Sequence, residues 1–258
     1  MKIFILGTGR MGAWLTEEFC LDHEVAIYDF DRKKMKFFIE VQRLTDMSQL
    51  KEFDPDMVIN AVSLRHTKEA FDQIIPLVRD DCIFVDIMSV KGDIDKYYKQ
   101  HNLRFVSIHP MFGPTFANIR NLKDENAVII TESDEEGKKF FREFFESLEL
   151  NIYEYSFAEH DETISYSLSI PFTSSLVFAA CMKKQDAPGT TFRRHHEIAK
   201  GLLSEDDYLL AEILFNAGTI EQIEKINQRL SYLTHIIRGR DYEVMVEFLD
   251  KLRDNIDF

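Results

Sequence analysis

Lys2-Ile-Phe-Ile-Leu6 runs directly into Gly7-Thr8-Gly9-Arg10-Met11-Gly12, and the helical pattern Met11–Leu21 follows. A short β-branched and aromatic run, then spaced glycines, then helical periodicity reads as strand, tight turn and helix. In that setting the first glycine permits the turn and the second lets backbone amides approach a pyrophosphate. The third lets helix and strand pack closely. The helix N-terminus supplies partial positive charge without a basic side chain. Gly7, Thr8, Gly9, Arg10, Met11 and Gly12 are therefore the expected dinucleotide-binding loop. Asp29 closes the next candidate strand, 22 residues after Gly7, close to the spacing at which a carboxylate bonds the adenine ribose hydroxyls. An acid there repels a 2′-phosphate and favours NAD over NADP. Arg32, Lys33 and Lys34 lie close by and weaken that preference, unless they simply start a solvated helix. A glycine-rich turn that holds no ligand is the alternative.

Outward from this unit the first half alternates strands with helices. Candidate strands are Lys2–Leu6, Glu24–Asp29, Met57–Val62, Cys82–Asp86, Leu103–His109 and Ala127–Thr131; Met11–Leu21, His66–Leu77, Ile94–Gln100 and Gly137–Leu148 read as helices. Such alternation implies βαβ units and a mostly parallel sheet covered on both faces. After Tyr155 the pattern changes. Ile164, Leu168, Phe172, Leu176 and Ala180 recur every four residues along a long helix that Pro171 should kink or split. Thr219-Ile-Glu-Gln222 has capping-box form and precedes the apolar stripe Ile220, Ile223, Ile226, Leu230, Leu233 and Ile237; Gly239 should then stop that helix. The expected fold class is α/β, with a Rossmann-type domain over 1–155 and an all-α domain over 156–258.

Composition narrows the function. The chain is 45% hydrophobic with 22 Phe, so it can build a core and is not a disordered chain. Its 31 basic and 45 acidic side chains leave a net charge of −14, which argues against nucleic-acid binding. An anionic ligand must be held by local donors against that field. Cys20, Cys82 and Cys181 are far apart and odd in number, reading as reduced, buried thiols in a cytoplasmic protein. The apolar stretch Ile170–Met182 is broken by Pro171, Thr173, Ser174 and Ser175, so no membrane span and no secretory leader are expected.

Ser89 and His109 sit just past two consecutive candidate strands, where open parallel sheets bind their ligands. A hydroxyl and an imidazole there suit an alcohol that loses its proton as its hydrogen leaves for NAD. His109 is the natural general base, its ordinary pKa lying near neutrality. No acid or cysteine stands at metal-ligand spacing from His195 and His196 beyond Glu197, so no metal is expected.

The segments Asp86-Ile-Met-Ser89-Val-Lys91-Gly92 and His109-Pro-Met-Phe-Gly-Pro114 resemble the prephenate dehydrogenase family, which includes arogenate and cyclohexadienyl dehydrogenases. The glycine loop fits the same family, as do Glu159-His160-Asp161, Ser169-Ile-Pro171 and Gly189-Thr-Thr-Phe-Arg193. The resemblance implies a Rossmann domain followed by a helical substrate-binding and dimerisation domain, and hence a homodimer. It implies that His109 takes the proton of the substrate's ring 4-hydroxyl and that Ser89 orients that hydroxyl. It also implies that Arg193 grips a substrate carboxylate and that His160 lies at the substrate site. Prephenate would then be oxidised and decarboxylated to 4-hydroxyphenylpyruvate in tyrosine biosynthesis, with arogenate as the alternative substrate. Asp161, beginning the long helix, also reads as a simple N-terminal dipole residue. The sequence departs from the pattern at Ser169 and Phe172, where many relatives carry histidines. Two other readings compete: a β-hydroxyacid dehydrogenase or imine reductase, and a catalytically silent NAD-sensing protein. The β-hydroxyacid type normally carries a lysine on its long helix, and Glu159–Ala180 has none.

Overall fold

The computed structural model describes residues 1–113, 118 and 121–256; Pro114 of the quoted motif lies outside them. The first strand, β1 (Lys2–Leu6), shows why a sheet forms here. Ile3 and Ile5 enter one core with Trp14, Leu15 and Phe19, whereas Phe4 and Leu6 enter a second core with Leu50, Phe53 and Phe71. Residues one apart on a strand face opposite ways, so a run that is apolar at every position must be covered on both sides.

The order along the chain is β1, α1 (Arg10–Phe19), β2 (Glu24–Tyr28), β3 (Gln42–Arg43), α2 (Leu50–Phe53), β4 (Met57–Asn60) and α3 (Thr67–Ile74). There follow β5 (Ile83–Asp86), α4 (Ile94–His101), β6 (Arg104–Pro110), β7 (Asn126–Ile130), α5 (Glu135–Ser147) and β8 (Asn151–Tyr155). The eight strands form one sheet in the order β3-β2-β1-β4-β5-β6-β7-β8. All neighbours are parallel except β6 and β7. β3 and β8 were not expected from sequence. β3 is only two residues long, and β8 is an edge strand, Asn-Ile-Tyr-Glu-Tyr, with only partial burial. Gly137 marks how tightly α5 lies on the sheet, since a Cβ there would come within 2.0 Å of Val106 Cγ2.

From Phe157 onward the described elements are helices: α6 (Phe157–Ser167), α7 (Ser169–Cys181), α8 (Thr190–Leu202), α9 (Asp207–Leu214), α10 (Thr219–Gly239) and α11 (Tyr242–Asp254). The long periodic stretch is indeed two helices, α6 and α7, which meet at Leu168, three residues before Pro171. Val90, Ile164 and Ile213 form a third core with Leu64, Met111, Leu168 and Phe172. That core seats the helices on the loops that follow β4, β5 and β6.

Several local expectations are corrected. The capping box belongs to Ser156 and Glu159 at α6, while Thr219 spends its hydroxyl on Ser169 and the Ile213 carbonyl. Arg240, in the left-handed region at φ 50°, ends α10 in place of Gly239. Cys181 is exposed and Cys20 half-buried; only Cys82 is a buried thiol. By length and composition alone, Phe157–Cys181 is a run of 25 residues apolar enough to cross a membrane. This overturns the expectation that no such segment exists. The run is broken at Leu168 and carries the His160–Asp161 network described below.

Candidate active site

The glycine loop is built as its spacing demands. Gly7 has φ +90°, and a Cβ on Gly12 would stand 1.9 Å from the Gly7 carbonyl oxygen, so neither position accepts a side chain. Around Gly9 a Cβ would meet nothing within 4 Å, which leaves open space above the start of α1. Gly9 is the N-cap and has no side chain to satisfy the first-turn amides. An open helix N-terminus with no capping side chain fits a pyrophosphate.

Asp29, just past β2, is held more tightly than expected. Its Oδ2 accepts from the Thr8 backbone (2.8 Å) and hydroxyl (3.1 Å), and its Oδ1 accepts from the Asp31 N–H (2.8 Å). A carboxylate has about four lone-pair sites, so roughly one remains for a ribose hydroxyl. Lys34 Nζ lies 4.0 Å away. The helical region reaches back over this edge: Arg10 pairs with Glu205 at 3.8 Å, and the Arg65 guanidinium lies 5.8 Å from the Tyr208 ring centroid.

His109 is the second-to-last residue of strand β6, opposite Val128 of β7, and is buried. Its Nδ1 stands 2.9 Å from His160 Nε2, and His160 Nδ1 stands 3.1 Å from Asp161 Oδ1. Asp161 in turn accepts the backbone N–H groups of Lys91 and Gly92, each at 3.2 Å. Asp161 thus serves the loop after β5, and Ser156 caps α6 in its stead. Burial, then the charge that His160 would carry, then the Lys91 ammonium all disfavour a proton on His109, and its pKa falls well below the usual histidine value. His160 is also pushed down, by burial, with Asp161 opposing.

Beneath His109 lies a cluster that the sequence reading did not single out. Lys91, fully buried, donates to Asp86 Oδ1 (2.8 Å) and to the Ile108 carbonyl (2.7 Å). Tyr98 on α4 donates to Asp86 Oδ2 at 2.7 Å. Burial pulls the Lys91 pKa down while Asp86 opposes it, and burial beside Asp86 drives the Tyr98 phenol well above its usual range. The available signal was Asp86 itself, a charge closing the wholly apolar strand Ile83-Phe-Val85.

Ser89 is half-buried in the loop after β5, and among the described residues no hydrogen bond joins it to His109. Arg193 lies exposed in the first turn of α8 with Nη2 3.4 Å from Thr190 Oγ1. Within one chain no described hydrogen bond or ion pair connects it to His109, Ser89 or His160. The structure therefore brings His109 and His160 together and leaves Arg193 outside their network.

A family model described as prephenate dehydrogenase, nucleotide-binding domain, matches residues 13–152. The chain belongs to the prephenate dehydrogenase family. Among sequence relatives, a probable arogenate/prephenate dehydrogenase of Methanocaldococcus jannaschii is 22% identical over 210 residues, covering 75% of this chain and 46% of the relative. The chain spans about half the length of the sequence relatives it matches. Among solved structures, Aquifex aeolicus prephenate dehydrogenase, in complex with hydroxyphenyl propionate and NAD+, superposes with a TM-score of 0.83 at 19% identity, covering 100% of this chain and 98% of that one. Synechocystis arogenate dehydrogenase gives a TM-score of 0.76 at 20% identity, with 100% and 99% covered. At these identities the superpositions establish the fold.

The two positions where this prephenate dehydrogenase family member departs from the expected pattern have clear local roles. Ser169 is fully buried, and its hydroxyl lies 2.7 Å from Thr219 Oγ1, tying α7 to the start of α10. Phe172 packs beside Val90 and Met111, close to the loops that follow β5 and β6.

Proposed function

We propose that this chain is an NAD-dependent prephenate dehydrogenase, converting prephenate to 4-hydroxyphenylpyruvate and carbon dioxide in the cytoplasm. The observation that carries the reading is the 2.9 Å contact between His109 Nδ1 and His160 Nε2. It commits one ring nitrogen of a buried, neutral imidazole and leaves Nε2 without a described partner, at the strand edge that open sheets use for ligands. His109 Nε2 takes the proton of the ring 4-hydroxyl, and Ser89 orients that hydroxyl. NAD, when bound, accepts the hydrogen that leaves C4 with its electron pair. The ring carboxylate departs as carbon dioxide, its bonding electrons complete the aromatic ring, and His109 returns its proton to the phenolic oxygen. Arg193 grips a substrate carboxylate through two parallel N–H bonds, a task suited to an always-charged guanidinium. Gly7–Gly12 holds the pyrophosphate and Asp29 the adenine ribose. Family membership and the named ligands of the Aquifex relative support the assignment.

Arogenate is the second reading, since relatives of both names share the fold. The test is NADH absorbance on mixing enzyme and NAD with prephenate, arogenate or a plain 3-hydroxy acid. The reading expects turnover with prephenate above the others. Faster turnover of arogenate would reassign the substrate, and turnover of the 3-hydroxy acid alone would remove the activity.

A further inference from the structure

We propose that Asp161 is a positioning residue that holds His109, through His160, as the Nδ1–H tautomer and so reserves His109 Nε2 for accepting a proton. The proton-accepting role rests on the function proposed above, whereas the tautomer assignment stands on geometry alone.

The donor and acceptor order along the chain of contacts is forced. Asp161 Oδ1 already accepts the Lys91 N–H, and Oδ2 accepts the Gly92 N–H, so this carboxylate acts as an acceptor on both oxygens. His160 Nδ1, 3.1 Å from Oδ1, must therefore carry a proton, because a bare nitrogen there would set acceptor against acceptor. Neutral imidazole has one N–H, which leaves His160 Nε2 bare. His109 Nδ1, 2.9 Å from that nitrogen, must then be its donor, and the lone pair of His109 falls on Nε2. His160 is fully buried, so water does not reach its ring nitrogens. Two anchors fix the carboxylate: the paired N–H groups of the loop after β5, and the Asp161 carbonyl, which accepts Asn216 Nδ2 at 3.2 Å. A network of this length spans both halves of the chain, from β6 through α6 to the loop before α4. The same logic operates where a buried aspartate sets the tautomer of a catalytic histidine in serine proteases.

The test begins with wild-type protein labelled with 15N in its histidines, using long-range proton–nitrogen correlation to locate each ring proton. His109, assigned by its absence in His109→Asn, is expected to carry its proton on Nδ1. A proton on Nε2 would overturn the proposal, whatever the substrate proves to be. Two variants then separate positioning from simple support. Asp161→Asn keeps its amide oxygen where two donors converge, the Lys91 N–H and His160 Nδ1–H, and turns its NH2 toward the single N–H of Gly92. It should retain the His109 tautomer and kcat within about tenfold, whereas Asp161→Ala should mix the tautomers and lower kcat on the order of 10²-fold or more, with KM for NAD unchanged. If Asp161→Ala leaves tautomer and kcat intact, or if Asp161→Asn lowers kcat as much as Asp161→Ala while His109 keeps its proton on Nδ1, the proposal fails. A wild-type tautomer as assigned, in an enzyme that oxidises neither prephenate nor arogenate, would uphold this inference and remove the substrate assignment instead.

Discussion

Lys91 Nζ lies 2.8 Å from Asp86 Oδ1, and both side chains are wholly cut off from solvent. Removing one member of such a pair leaves a bare charge in the core, so Lys91→Met should destabilise by about 3–5 kcal/mol. Replacing both, as Lys91→Met with Asp86→Leu, should recover most of that loss. Urea unfolding of the three proteins checks it: a double variant no more stable than the single would mean that Asp86 is not the group left stranded.

Because burial and the Lys91 charge keep His109 neutral, its acid limb is expected well below the ordinary histidine range. Protonation removes the base, so kcat should stay level from neutral pH through about pH 6.5 and fall only further toward acid. His109→Asn should lose on the order of 10²–10⁴ in kcat, and Ser89→Ala less. A half-maximal rate at about pH 6.5 or above would contradict the burial argument.

Asp29 should give NAD at least about a tenfold advantage in kcat/KM over NADP, equivalent to about 1.4 kcal/mol. Because the same carboxylate anchors the Thr8 amide, Asp29→Ser should weaken NAD as well as improve the relative use of NADP. Steady-state kinetics with both cofactors decides. An unchanged ratio would show that the preference comes from elsewhere.

Arg193→Ala should raise KM for prephenate strongly while leaving NAD affinity unchanged, and Arg193→Lys should rescue it only in part, lacking the planar fork. If Arg194→Ala gives that signature instead, the carboxylate is held one residue along. If neither does, it is held by another group.

Along α10, Ile220, Leu230 and Ile237 are 64%, 50% and 58% exposed in the single chain. A stripe of that kind is the expected face of a homodimer. Light scattering should give the mass of two chains at micromolar concentration, and Leu230→Asp with Ile237→Asp should halve it. A wild-type monomer would leave the stripe unexplained.

Most of the sheet was legible because burial on both faces forces apolar runs at every position, as in Ile3-Phe-Ile-Leu6 and Met57-Val-Ile59. β8 was not, since on this edge strand both Tyr153 and Glu154, on opposite faces, are exposed and no such run exists. The glycine loop was legible because only glycine tolerates 1.9 Å between a would-be Cβ and a backbone oxygen. The placement of Asp161 was not. A carboxylate at the start of a helix reads as a local partner of its own first turn. Its actual bonds, to Lys91 and Gly92, lie about seventy residues back along the chain. The role of Lys91, present in the quoted Asp86–Gly92 segment, was hidden for the same reason, because a lysine after a strand reads as solvated until Asp86, Tyr98 and Ile108 are seen to close over it.

The reversal between β6 and β7 has a consequence for how this site can diverge. A parallel partner would require a crossover carrying the chain to the far end of the sheet and back. Since β7 runs opposite to β6, the end of β6 that carries His109 lies directly beside the start of β7, where His109 faces Val128 and Pro110 faces Ala127. Substitutions at Ala127 and Val128 therefore reach the surroundings of His109 while leaving the parallel register of β1 to β6 untouched.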